Sequence, residues 1–111
     1  MSSLVYCTAQ FKPRPGKEAE LFAKLQTLEP NSLREDGCVQ YRLTRQISSP
    51  FAEGTSYPVV FHEIWQDMNA FEQHCQRREI SEFFSRYCES PDGLAEAWNV
   101  CVYSDEADEP A

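Results

Sequence analysis

The stretch Pro58-Val59-Val60-Phe61-His62-Glu63-Ile64-Trp65-Gln66 runs directly into Asp67-Met68-Asn69-Ala70-Phe71-Glu72-Gln73-His74-Cys75. Its first nine residues are rich in β-branched and aromatic side chains, which predicts a strand over 58–66. Asp67 can then accept a backbone N–H and start a helix. Beyond it the period changes: Phe71, His74 and Cys75 share one helical face. Ile80, Phe83, Phe84 and Tyr87 continue as a second apolar stripe, and Arg77-Arg78-Glu79 interrupts the two, so a kink or break is expected there. This is one strand feeding one capped helix.

The same unit recurs upstream. Residues 3–12 alternate, with Val5, Cys7, Ala9 and Phe11 opposite Leu4, Tyr6, Thr8 and Gln10, which predicts a strand. Pro13-Arg14-Pro15-Gly16 ends it. From about Lys17, the residues Leu21, Phe22, Leu25 and Leu28 take helical spacing, and Pro30 should end or kink that helix. One further turn fits 31–37, closed by Gly37. Strands are predicted at 38–47, around Val39, Tyr41, Leu43 and Ile47, and at 95–104, around Trp98, Val100, Val102 and Tyr103. The segment 48–57 reads as a long hairpin loop. The single domain should span 1–104, and the acidic tail 105–111, poor in core formers, is expected to be disordered.

The order is β-α-β-β-α-β, an α+β class. Right-handed crossovers put both helices on one face of a four-stranded sheet, the ferredoxin-like arrangement. Apolar residues on both sides of strands one, three and four would leave a bare sheet face, which predicts a homodimer that buries it. A charge placed at Val60 or Ile64 is then expected to weaken that dimer.

Composition narrows the function classes. A chain of 111 residues can bury roughly two-thirds of its unfolded surface and so hold its own core. Hydrophobic residues are 41 % and charged ones 25 %, as in ordinary globular domains. A net charge of −8 disfavours nucleic acid and anionic membranes as partners. No basic leader with a long apolar stretch and no membrane-length run is visible, and the five scattered cysteines lack C-x-x-C, so a cytoplasmic chain is expected. Those cysteines should be small buried hydrophobes. Motifs for a flavin, a nicotinamide or a metal are missing: there is no G-x-G-x-x-G or G-x-S-x-G, and His62-Glu63 is followed by Gln66 where H-E-x-x-H needs histidine.

Four short strings carry a family likeness. Pro15-Gly16-Lys17-Glu18, Glu35-Asp36-Gly37-Cys38 leading to Tyr41, Glu63-Ile64-Trp65, and Ala70-Phe71-Glu72-Gln73-His74 stand in order over residues 4–88. Together they resemble the antibiotic biosynthesis monooxygenase family. The resemblance implies a ferredoxin-like fold, a dimeric α+β barrel and a pocket between sheet and helices in each subunit. It also implies activities ranging from cofactor-free oxygenation of quinols and phenols to haem degradation and isomerisation of a small phosphorylated dicarbonyl. Haem-degrading members carry an Asn on strand one; residues 4–11 contain none, so haem cleavage is not expected. The loop 48–57 is longer than the likeness implies for the simplest quinol oxygenases.

The expected chemistry centres on His74. Triplet dioxygen reacts poorly with closed-shell neutral molecules, so an oxygenase without a cofactor must first make an electron-rich anion. Imidazole is the side chain best matched to removing a phenol proton near neutral pH. Glu63 and Trp65 share a strand face. If that face meets the helices, Glu63 needs a partner, and a Glu63–His74 pair would raise the imidazole pKa and fix its tautomer. Trp65, Phe71, Phe83 and Tyr41 are candidate aromatic walls of the substrate pocket, with Asn31 and Arg34 at its mouth, where Arg34 could grip an anionic group. The plainer reading makes His74 a core histidine bonded to a backbone carbonyl. The leading expectation is a cofactor-independent monooxygenase of a quinol-like or aromatic compound, with dioxygen as co-substrate. The alternatives are an enolising isomerase of a small carbonyl compound and a non-catalytic ligand-binding dimer.

Overall fold

The computed structural model describes residues 4–107. Its elements are β1 (Val5–Pro13), α1 (Glu18–Gln26), α2 (Glu29–Leu33), β2 (Cys38–Arg45), β3 (Val59–Trp65), α3 (Met68–Gln76), α4 (Arg78–Phe84) with a π-helical turn Ser85–Glu89, and β4 (Ala95–Tyr103). The four strands form one sheet in the order β2-β3-β1-β4, antiparallel throughout. This is the ferredoxin-like α+β architecture.

Strand parity places the core. Val5, Cys7, Ala9 and Phe11 of β1 are buried against the helices, as are Val59, Phe61, Glu63 and Trp65 of β3. Cross-strand register sets Cys7 and Tyr41 on either side of Glu63, and Ala9 and Leu43 on either side of Phe61. Leu21 and Leu25 of α1, and Ile80 and Phe83 of α4, close the same core from above. Burying side chains as large as Trp65 and Phe61 stabilises the fold by roughly 2–3 kcal/mol each.

Two local features differ from the sequence pattern, and a third takes the stronger of its expected forms. Helix α1 stops at Gln26, four residues before Pro30, and Pro30 instead lies in the first turn of α2, where its missing N–H costs nothing. The first strand runs through Pro13, at a register shift against β4 where a proline is tolerated. Arg77 is extended (φ −62°, ψ 140°), so the expected interruption is a full break between α3 and α4. Asp67 caps α3 as expected, its Oδ1 accepting the Ala70 N–H at 2.8 Å.

The sheet face away from the helices is mixed rather than apolar. It carries Tyr6, Thr8 and Gln10 of β1 beside Val60, His62 and Ile64 of β3. Val60 is already buried within the chain, whereas Ile64 is half-buried. The long loop ties to this side, because the Tyr57 N–H donates to Gln10 Oε1. Exposed apolar side chains line β4 on the helix side, at Trp98, Val100 and Val102, and others stand elsewhere at Leu33, Val39, Ile47, Phe51 and Met68. Of the cysteines only Cys7 and Cys88 are buried, and Cys75 is exposed. Of the acidic tail, Asp105 accepts the Tyr6 hydroxyl at 3.1 Å, and residues 108–111 lie outside the described range.

Candidate active site

Between the sheet and α3–α4 lies a cavity of about 340 Å³. Phe11 and Phe61 form its floor, Tyr41 and Leu28 one side, and Phe71, Ile80 and Phe84 its roof. Glu63, His74 and Cys75 bring polar atoms into it, and Ser81, Ser85 and Glu89 do so from α4 and the π-helical turn. No lysine or arginine lines it. Ser85 and Glu89 are the first and last residues of the π-helical turn, and both line the cavity.

His74 sits in the last turn of α3 and is buried. Its Nδ1 lies 2.7 Å from Glu35 Oε2. A carboxylate accepts only, so Nδ1 carries the proton in this contact and Nε2 is left as the acceptor of a ring that lines the cavity. The Trp65 and Tyr41 rings hold the imidazole on two sides, with centroids 4.6 and 5.2 Å away. Burial draws the His74 pKa below the ordinary histidine value; the bond to Glu35 pulls it partly back, and Arg77 works with burial. The imidazole is therefore neutral at pH 7, with a lone pair available.

Glu35 comes from the turn between α2 and β2. Its N–H donates to Ser32 O and its carbonyl accepts from Cys38 N. Gly37 makes the turn possible at φ +84°, and a Cβ there would come within 2.6 Å of the Ala70 Cβ on α3. The carboxylate is held from outside by Arg77, whose guanidinium donates both to Glu35 Oε2 and, at 2.7 Å, to Glu79 Oε1. Glu79 accepts in turn from Asn31 Nδ2, and Asn31 Oδ1 accepts from Arg34 at 3.0 Å. A chain of polar contacts thus runs from the buried imidazole to the surface.

Glu63 is the second ionisable group in the cavity. Trp65 Nε1–H donates to its Oε1 at 2.9 Å. Burial pushes the Glu63 carboxyl up to about 7, with Trp65 and the Cys7 thiol opposing that rise.

Of the residues singled out from sequence, Glu63, His74, Tyr41 and Phe71 meet at the cavity. Trp65 is fully buried behind it, backing His74 rather than forming a wall for substrate. Phe83 turns to an outer cleft beside Tyr87, and its neighbour Phe84 takes the place at the cavity. Asn31 and Arg34 belong to the outer end of the polar chain and do not line the cavity. In place of the expected Glu63–His74 pair, Glu63 bonds Trp65 and His74 bonds Glu35. The net effect on the imidazole is a lowered pKa, not a raised one, because burial outweighs the carboxylate. No residue of the loop 48–57 lines the cavity. Among the described residues no group of three or more His, Cys, Asp or Glu is arranged to hold a metal ion, and no helix is long and apolar enough to cross a membrane.

Fold and site together define a ferredoxin-like domain with a largely apolar cavity between sheet and helices, lined by Glu63 and His74. The chain belongs to the antibiotic biosynthesis monooxygenase family, whose profile matches residues 4–86. Among solved structures, it is similar to a protein of Shewanella oneidensis at 31 % identity and a TM-score of 0.76, over 93 % of this chain and 91 % of that one. A Pseudomonas aeruginosa protein matches at 25 % identity and a TM-score of 0.75, over 96 % and 98 %. A Deinococcus radiodurans protein, itself proposed to be an antibiotic biosynthesis monooxygenase, shares the fold at 17 % identity and a TM-score of 0.71, over 97 % and 95 %. No curated protein matches the sequence.

Proposed function

We propose that this chain is a cofactor-independent monooxygenase of a neutral hydroxylated aromatic compound, working as a homodimer. The observation that carries the reading is a neutral, carboxylate-oriented imidazole at the wall of an aromatic cavity that offers no cation. A phenol or quinol would lie between Phe61 and Phe71 with its hydroxyl toward Nε2. His74 removes the hydroxyl proton, and the resulting anion gives one electron to dioxygen. The radical pair recombines at a ring carbon, and the peroxide O–O bond then breaks. One oxygen stays on the ring as a quinone carbonyl; the other leaves as water with the proton returned by His74 and the ring hydrogen. All four electrons come from the substrate, so no external reductant is needed.

The apolar walls favour this over a phosphorylated substrate, since burying a phosphate without a cation is costly. A second reading, enolisation of a small neutral carbonyl compound, is favoured by one observation. Glu63, poised at about 7, gives the cavity a second group able to give or take a proton. The homodimer is supported by Trp98, Val100 and Val102, which form an exposed apolar strip that reaches the cavity wall through Val100.

Oxygen uptake with a panel of quinols and phenols tests the proposal. One or more should be consumed with one dioxygen per substrate, and His74→Ala should slow turnover by about 100-fold. An absence of oxygen uptake across the panel, with solvent-deuterium exchange into a bound ketone, would replace the oxygenase by the enolising reading. Binding without either reaction would leave a ligand-binding protein.

A further inference from the structure

We infer that Glu35, clamped by Arg77, is the positioning residue of the site: it fixes His74 as the Nδ1–H tautomer and balances the imidazolium formed when Nε2 takes the substrate proton. The inference rests on the reading of His74 as the base, and it adds a residue that lies outside the cavity.

Four observations carry it. The Nδ1···Oε2 contact of 2.7 Å is short enough for a charge-assisted hydrogen bond. Glu35 does not line the substrate cavity; it lines a separate polar cleft with Asp36, Asp67 and Arg77. His74 itself lines the cavity, while its Nδ1 is bonded by a carboxylate that lines the cleft. The Glu35 side chain is only 12 % exposed, so solvent screens its charge little. Finally, Arg77 bonds the same Oε2 that receives Nδ1, which fixes that oxygen rather than merely neutralising the group.

The other groups around the imidazole do not supply this function. Arg77 on the α3–α4 break opposes a positive charge on the ring, and Glu79 of α4 is engaged by Arg77 and Asn31. Glu63 of β3 is bonded by Trp65, while Tyr41 of β2 and Trp65 meet the ring only through aromatic contacts, edge-type and tilted respectively. Cys75, the adjoining thiol, is pushed up to about 11 by partial desolvation of its sulfur beside the cavity and by the nearby Glu63, Glu35 and Glu72 carboxylates, and stays neutral. An orienting carboxylate behind a catalytic histidine is the logic of the serine-protease triad, reached here on a different fold. During turnover the Nδ1 proton stays in the Glu35 contact, while the substrate proton goes to Nε2 and returns from it to the departing oxygen.

The chain has two histidines, so His62→Gln leaves His74 as its sole imidazole. In that protein, 15N NMR should place the neutral ring's proton on Nδ1. Glu35→Gln, which keeps the volume, should lower the imidazole pKa, because the carboxylate is a cause that raises it. The acid limb of kcat/KM should move to lower pH in step. Where a substrate is turned over, kcat should fall by about 100-fold with KM changed less than about twofold. Glu35→Ala should populate the Nε2–H tautomer. A proton found on Nε2 in the parent, or a Glu35→Gln ring that titrates like the parent, would overturn the assignment. The NMR arms read the ring without any substrate, so a failure of the oxygenase reading is seen separately, as no turnover in the parent.

Discussion

Glu63 shows how one side chain can be set against the stability of its own fold. Its carboxyl is raised to about 7 by burial, so the folded chain holds that proton more tightly than the unfolded chain does. Stability from this group is complete below the ordinary carboxyl value of 4.5 and is lost as pH rises toward 7. The difference corresponds to about 3 kcal/mol at most. Glu63→Gln, an uncharged isostere, should therefore raise the thermal midpoint at pH 8 by several degrees and leave it unchanged near pH 4. Equal midpoints at pH 8 would show that the carboxyl titrates normally. The placement of such a group at a cavity wall fits a proton-handling task. At this scale the sequence was half legible. Alternation put Glu63 and Trp65 on the helix side, and helical spacing put His74 opposite them. It could not pair them, because the carboxylate that reaches His74 comes from 39 residues away in a turn with no period. Phe83 and Phe84 show the same limit, since neighbours on a helix differ by 100° and only the packed structure decides which one meets the cavity.

Among the elements, the turn carrying Glu35 depends on Gly37. Its φ of +84° suits glycine alone, and an added Cβ would press on Ala70 of α3. Gly37→Ala should cost about 2–3 kcal/mol or more, seen as a lower denaturation midpoint. It should also loosen the Glu35–His74 contact, because strain and clash both push the turn away from α3. A midpoint equal to the parent's would show that the turn yields cheaply. The glycine at the end of the turn, the Asp67 cap and the interruption at Arg77 were readable because each rests on local chemistry. Pro30 was misread for the same kind of reason. A proline is equally at home just past one helix and in the first turn of the next, and Leu28 continues the apolar spacing across the join. The π-turn at Ser85–Glu89 leaves no signature in composition at all.

For the molecule as a whole, the proposed pairing has a sharper test than the sequence offered. Val60 is buried within its own chain, so a charge there would damage the fold before it reported on assembly. Ile64 on the uncovered face and Val102 on β4 are the usable probes. Ile64→Lys and Val102→Lys should each shift light-scattering mass toward one chain while leaving the circular dichroism spectrum intact. If both variants keep the parent's mass, neither surface is the contact. The topology was fully legible, because the β-α-β-β-α-β order with right-handed crossovers admits few sheets. The apolar surplus was legible in amount but not in place: alternation along β4 shows which residues share a side, not that the helices stop short of it.

One contact at the opposite margin bears on how such copies can add up. The sheet ends at β2, and there the Leu43 N–H donates to the Glu29 carboxylate at 2.8 Å instead of pointing into water. An outer strand with its amides free is a template on which further chains can stack without limit. Here the template is spoiled by a side chain from α2. Growth by strand addition is discouraged at one end, so any joining of copies is steered toward closed, finite bodies and away from fibres.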